Sequence, residues 1–233
     1  MKKAVFSLTL LLGLTTAAHA QTGTLRYGLK GGFNLSSYSG QLDGPFAAGY
    51  QPGFAAGAVA AYGLSDHATL QVEALYSRKG VFVDSYPYRY PASPLFGSWR
   101  YRSALSYLDV PVLAKLSTGA ASTGFYLELG PQLSLALGQR EYVTPYGSSG
   151  SAANPPAQTL STDRNALTPV ALGYVGGVGY QFANGLGLGL RYTGDVSHVY
   201  RDAARTGSSG VAFSDNFHNS TFQAQAQFLF GGK

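Results

Sequence analysis

The sequence predicts an all-β fold, an eight-stranded antiparallel transmembrane β-barrel preceded by a cleaved signal peptide. Three observations carry this. Residues 24–36 place Leu25, Tyr27, Leu29, Phe33 and Leu35 on odd positions and Arg26, Lys30, Asn34 and Ser36 on even ones, the period of a strand with one apolar and one polar face. Seven related segments follow, each of about 10–14 residues, and none reaches the 18 consecutive apolar residues of a helical span. Charged residues make up 12% of the chain against about 25% in soluble domains, while tyrosines number 17 and phenylalanines 13. A barrel whose outside met water would need more charge.

The first twenty residues stand apart. Lys2 and Lys3 precede an apolar run over 4–14 and a small-residue exit at Ala18-His19-Ala20, which predicts secretion and cleavage after Ala20. Residues 21–233 then form one barrel domain. The apolar run is too short for a membrane helix, and with no cysteine there is neither a lipid-modified cysteine anchor nor a disulfide. The mature chain keeps 14 of the 16 basic residues against 11 acidic ones, too mild a balance to imply a nucleic-acid partner.

The second segment, 53–64, aligns Phe54, Ala56, Ala58, Ala60, Tyr62 and Leu64. The third, 68–80, sets Leu70, Val72, Ala74 and Tyr76 against Gln71, Glu73, Ser77 and Lys79. In the fourth, 104–116, Leu108, Val110, Val112, Ala114 and Leu116 oppose Tyr107, Asp109 and Lys115. The fifth, 124–138, opposes Phe125, Leu127, Leu129, Leu133, Leu135 and Leu137 to Tyr126, Glu128, Gln132 and Ser134. Segments 168–182 and 186–197 align Val170, Leu172, Tyr174, Val178, Tyr180 and Phe182, then Leu186, Leu188, Leu190 and Tyr192 opposite Arg191 and Asp195. The eighth, 217–230, alternates Phe222, Ala224, Ala226, Phe228 and Phe230 with three glutamines. Glycines 173, 176, 177 and 179 sit inside a strand and relieve crowding there; no phosphate cradle is expected.

Connections alternate in length. Those at 65–67, 117–123 and 183–185 are short, and those at 37–52, 81–103, 139–167 and 198–216 are long, as in outer-membrane barrels with short periplasmic turns. Phase separates inside from outside. Lys30, Glu73, Asp109, Lys115, Glu128 and Arg191 share the less apolar phase, and Lys or Arg on lipid at midplane costs about 2–4 kcal/mol, so that phase faces the lumen. A soluble lipocalin-like barrel would have the opposite polarity.

Several of these segments resemble the porin-family or PorT-like outer-membrane β-barrel proteins of Gram-negative bacteria. The likeness lies in Tyr27-Gly-Leu-Lys-Gly-Gly-Phe-Asn-Leu35, Leu70-Gln-Val-Glu-Ala-Leu-Tyr-Ser-Arg-Lys-Gly80, Tyr107-Leu-Asp-Val-Pro-Val-Leu-Ala-Lys115, Phe125-Tyr-Leu-Glu-Leu-Gly-Pro-Gln132 and Gly176-Gly-Val-Gly-Tyr180. The resemblance implies a barrel fold and an outer-membrane location. It brings no shared catalytic residues; its namesake is associated with protein secretion at the cell surface.

Two sets of residues are candidate sites. The six lumen charges form a network that fills an eight-stranded interior, with Lys115 near Glu128 and a second cluster of Glu73, Asp109, Lys30 and Arg191. The loop 81–103 offers Tyr86, Tyr88, Arg89, Tyr90, Trp99, Arg100 and Arg102 for contact outside the cell, with a surface protein, with secretion machinery or with lipopolysaccharide phosphates. Asp195, Ser197, His198 and His218 resemble parts of a lipid-modifying catalytic site, but Asp195 and His198 differ in phase. With two strand-end histidines and no cysteine, neither a metal site nor a cofactor is expected. The expected role is that of a monomeric, non-enzymatic structural or surface-interaction barrel; a small-solute channel is the alternative and needs an emptier lumen.

Overall fold

Alternation in sequence becomes alternation in exposure. Along the last strand Asn219, Thr221, Gln223, Gln225 and Gln227 are buried, while Phe222, Phe228 and Phe230 are 51%, 42% and 52% exposed. The polar side chains are therefore inside and the phenylalanines outside, the arrangement of a protein whose solvent is hydrocarbon.

The computed structural model describes residues 23–39, 48–89, 96–146, 158–161, 167–200 and 217–231. The signal segment 1–20 lies outside the described residues. The strands are β1 (Leu25–Ser39), β2 (Ala48–Gly63), β3 (Ala68–Arg89), β4 (Phe96–Ser117), β5 (Gly124–Tyr146), β6 (Gln158–Ser161), β7 (Val170–Gln181), β8 (Leu186–Asp195) and β9 (His218–Phe230). Eight of them close a ring of antiparallel neighbours in the order β1-β2-β3-β4-β5-β7-β8-β9, sealed by β9 against β1 from Tyr27↔Phe230 to Ser39↔His218. Closure leaves no unpaired edge in the membrane, where each unsatisfied backbone group would cost several kcal/mol. No helix among the described residues is long and apolar enough to cross a membrane. The short β6 lies outside the ring and pairs with Glu141 to Val143 of β5.

The short turns at 64–67 and 182–185 bring the chain back at one end. Gly185 takes a φ of 92°, the left-handed region that glycine enters at little cost, and the Asn184 side chain accepts a hydrogen bond from Leu186 N–H. Two aromatic belts ring the outer wall. Phe125 and Tyr180, Tyr180 and Phe182, and Phe228 and Phe230 pack edge to face at centroid distances of 4.9, 4.8 and 5.1 Å near the short turns. Phe54 with Tyr76 and Tyr192 with Phe222, at 5.9 and 5.1 Å, form the second belt toward the long connections. Aromatic rings of this kind mark the two membrane interfaces.

The long connection expected at 81–103 is corrected by the structure. β3 continues to Arg89 and β4 starts at Phe96, giving strands of 22 residues each whose pairing runs to Arg89↔Phe96. Likewise β5 is 23 residues long and takes in the first part of the expected 139–167 connection. These strands outrun the membrane because Tyr, Trp and Val at 81–101 favour extended backbone and find partners on both sides of β4. The phase also shifts once. Tyr107 pairs with Ala136 but Ser106 with Gly138, so Leu137 is the extra residue of a bulge, and the inward positions of β5 move from even at Gln132 and Ser134 to odd at Gln139.

Candidate functional site

Lys30, Glu73, Glu128 and Arg191 stand on β1, β3, β5 and β8, every second strand of the ring. Inward side chains of alternate strands share a layer in a closed barrel, so these four meet at one height. Arg191 donates from Nη1 to Glu73 Oε2 at 2.8 Å and from Nη2 to Glu73 Oε1 at 2.9 Å, a two-pronged contact with a strand on the opposite side of the ring. Its Nε donates to Glu128 Oε1 at 2.8 Å, and Lys30 Nζ lies 2.6 Å from Glu73 Oε1. Gln71 and Gln225 add amide donors to the two carboxylates at 2.6 and 3.0 Å. Two cations and two anions make the layer neutral, and all four residues are at most 5% exposed.

Space for these side chains comes from glycine. A Cβ on Gly177 would stand 2.9 Å from Glu128 Oε1, and one on Gly179 would stand 2.5 Å from the Tyr126 ring. The glycines expected to relieve crowding thus leave room for the carboxylate and the phenol opposite them.

Above this layer Lys79 Nζ pairs with Asp109 at 2.9 Å, Ser134 donates to Asp109 at 2.6 Å, and Asn219 donates to Asp195 at 2.9 Å. Asp109 therefore belongs with Lys79 and not, as the sequence suggested, with Glu73, Lys30 and Arg191. Below the layer Lys115 is the register partner of Glu128, yet its Nζ sits 3.6 Å from the centre of the Tyr126 ring and donates to Gln181 Oε1 at 3.3 Å. Lys79 escaped the list of lumen charges although it shares the phase of Gln71, Glu73 and Ser77. The phase itself was the signal that could have found it.

Over the polar tiers lies an apolar cap. Tyr38, Val81, Val83, Tyr101, Leu105, Tyr107, Leu167, Val199, Tyr200 and Phe217 form one buried cluster at the end of the long connections. Tyr38 packs on Phe217 at 5.9 Å and meets Tyr200 edge-on at 6.3 Å, its hydroxyl 3.3 Å from that of Tyr200. The sequence reading missed this cap. Its trace was the apolar turn of the inward phase of β4 at Tyr101, Leu105 and Tyr107, beyond the point where that phase is polar.

The aromatic and arginine candidates stand on the extended hairpin. Tyr86, Tyr88 and Arg89 are on β3, Trp99 is on β4 in register with Tyr86, and Arg100 and Arg102 are exposed on the outward phase of β4. Tyr90 lies outside the described residues. The strand-end group does not assemble into a relay. Asp195 is buried and held by Asn219, Ser197 Oγ accepts the Leu172 N–H at 2.9 Å, and His218 Nδ1 lies 3.2 Å from the Ser197 carbonyl while its ring faces His198 at 5.0 Å. Among the described residues no group of three or more His, Cys, Asp and Glu side chains is placed to hold a metal ion.

No protein of curated function matches the chain in sequence. Among solved structures it is similar to Neisserial surface protein A, with 17% identity, 88% of this chain and 97% of that chain covered, and a TM-score of 0.44. The attachment invasion locus protein Ail of Yersinia pestis matches at 11% identity, with 90% and 100% covered and a TM-score of 0.44. OprG, an outer membrane protein of Pseudomonas aeruginosa, matches at 11% identity, with 91% and 98% covered and a TM-score of 0.38. The family model described as the outer membrane protein beta-barrel domain matches residues 19–200. With a closed ring of eight antiparallel strands, apolar outside and charged inside, this chain belongs to the family of the outer membrane protein beta-barrel domain and resides in the cell outer membrane.

Proposed function

We propose that this barrel is a non-enzymatic structural and surface-interaction protein whose lumen is sealed and whose outer hairpin, β3 with β4, makes contact outside the cell. The observation that carries the reading is the Arg191–Glu73 contact, which spans the lumen from one wall to the opposite one. A solute path along the axis would have to break a buried, two-pronged ion pair, and removing one partner of such a pair costs about 3–5 kcal/mol. The void beside Lys30, Asn34, Leu75 and Gln225 is too tight for a water molecule, and the apolar cap adds a second closure above it. The channel alternative needs an emptier lumen than the described residues leave.

The hairpin reading is supported by the length of β3 and β4 past the upper aromatic belt, which lifts Tyr86, Tyr88, Trp99 and Arg100 clear of the lipid. The resemblance to PorT-like barrels supports a place at the cell surface and a link to secretion machinery. The test is planar-bilayer recording of the purified barrel. A silent membrane at protein loads that give heat-shifted, folded barrel on gels is the expected result; stable ohmic steps contradict the sealed lumen.

A further inference from the structure

The outward-facing arginines of the described wall are gathered on one side. Three of them, Arg78 of β3, Arg102 of β4 and Arg140 of β5, occupy outward positions, Arg78 and Arg102 between buried neighbours and Arg140 next to buried Gln139. Their strands are adjacent, and the register Gly80↔Ala104↔Arg140 and Phe82↔Arg102↔Tyr142 makes Arg102 and Arg140 diagonal neighbours, about 7–8 Å apart at Cα. Among the described residues no carboxylate pairs with any of the three. Glu141, the nearest acid in sequence, takes the inward phase, where it accepts from Tyr101 Oη at 2.7 Å and from Gln139. At the same end of β8 and β9 the outward residues are Val196, His198 and His218, with no Lys or Arg.

Height fixes what these cations meet. By register Arg78, Arg140 and Arg102 lie two, four and six residues past Tyr76 of the upper belt. A strand tilted by about 40° climbs roughly 2.5 Å per residue, so the three span from about 5 to about 15 Å above that belt. A lipid headgroup layer is about 5–7 Å thick, which sets Arg78 within it and Arg140 and Arg102 roughly 3–10 Å beyond it, at the height of lipopolysaccharide core sugars. All three side chains leave the wall on its outward face, away from the lumen.

We propose that Arg78, Arg102 and Arg140 form a docking site for the phosphate groups of outer-leaflet lipopolysaccharide. The occupant follows from charge complementarity. Lipopolysaccharide is the component at that height carrying several phosphates on one molecule, and planar guanidinium groups bind phosphate oxygens two at a time. Tyr76, Phe82 and Tyr142 on the same face supply apolar surface for its acyl chains and sugar rings. The proposal rests on the outer-membrane placement of the barrel and stands apart from the reading of the hairpin tip.

The test uses the full mature barrel in phosphatidylcholine nanodiscs, with binding of fluorescent lipopolysaccharide as the readout and heat-modifiable gel mobility as the folding check. The triple variant R78Q/R102Q/R140Q is expected to bind about tenfold more weakly, the same loss is expected when the wild type is given dephosphorylated lipopolysaccharide, and both differences should shrink in high salt. Should the triple variant fail to fold, R102Q/R140Q serves instead, with a loss of about threefold or more. Equal affinity of wild type and variant overturns the proposal, as does equal binding of the dephosphorylated ligand. Displacement of the lipid by an equal concentration of inorganic phosphate would show a free-phosphate site and also overturn it.

Discussion

Arg191 is the residue on which most of the lumen depends, because two buried carboxylates from different strands lean on its guanidinium. Replacing it by Leu leaves Glu73 and Glu128 buried with half their compensation, so Arg191→Leu should cost about 3–5 kcal/mol, read from the urea midpoint of the reconstituted barrel. Lys115→Met should cost less than about 1.5 kcal/mol, because Lys115 gives up one amide contact and a ring face, not a carboxylate. Equal losses for the two variants would refute the assignment of partners. The sequence made these two residues look alike. Phase says that a side chain points inward but not at what height, and height is set by the stagger of eight strands, which comes only with the register. That is why Asp109 was matched to Arg191, whereas the layer rule joins β1, β3, β5 and β8; Lys115 does stand opposite Glu128 in register, but its ammonium turns to Tyr126 and Gln181.

At the scale of the element, the hairpin of β3 and β4 stands beyond what the membrane requires, and its pairing past Val83↔Tyr101 does not involve the lumen charges. Deleting 84–100 and closing Val83 to Tyr101 through Asn-Gly should therefore leave gel heat-modifiability intact and move the urea midpoint little, while abolishing contact with any outer partner. Loss of the folded band would mean that the hairpin is part of the barrel's own stability. Gly80, Pro87 and Pro91 with nearby serines made this stretch read as a loop, since each of those residues punctuates regular structure. The strands run on regardless, because Tyr86, Trp99 and Tyr101 pair across them and one residue is absorbed by the irregularity between Val83 and Tyr86. Shorter elements were easier. β9 carries its period from Asn219 to Phe230 without interruption, and both its ends and its faces were legible.

For the whole molecule, the eight buried charges among the described residues balance. Lys30, Lys79, Lys115 and Arg191 meet Glu73, Asp109, Glu128 and Asp195, so the net positive charge of the chain is carried outside the lumen. On the sealed-lumen proposal, a neutral, layered interior under an aromatic cap is what keeps the barrel silent. Fold class, strand count and sidedness were readable in advance because a period of two with charge on one phase has one low-cost solution in hydrocarbon, a closed ring with that phase inside. The cap was not readable, since it draws Leu167, Val199, Tyr200 and Phe217 from connections that have no period of their own. The account's central claim is this sidedness, and the absence of cysteine makes it directly measurable. Single cysteines placed in turn at 222–228 of β9 and spin-labelled in bilayers should show oxygen accessibility that is high at even positions and low at odd ones; uniform accessibility, or the reverse phase, would contradict it.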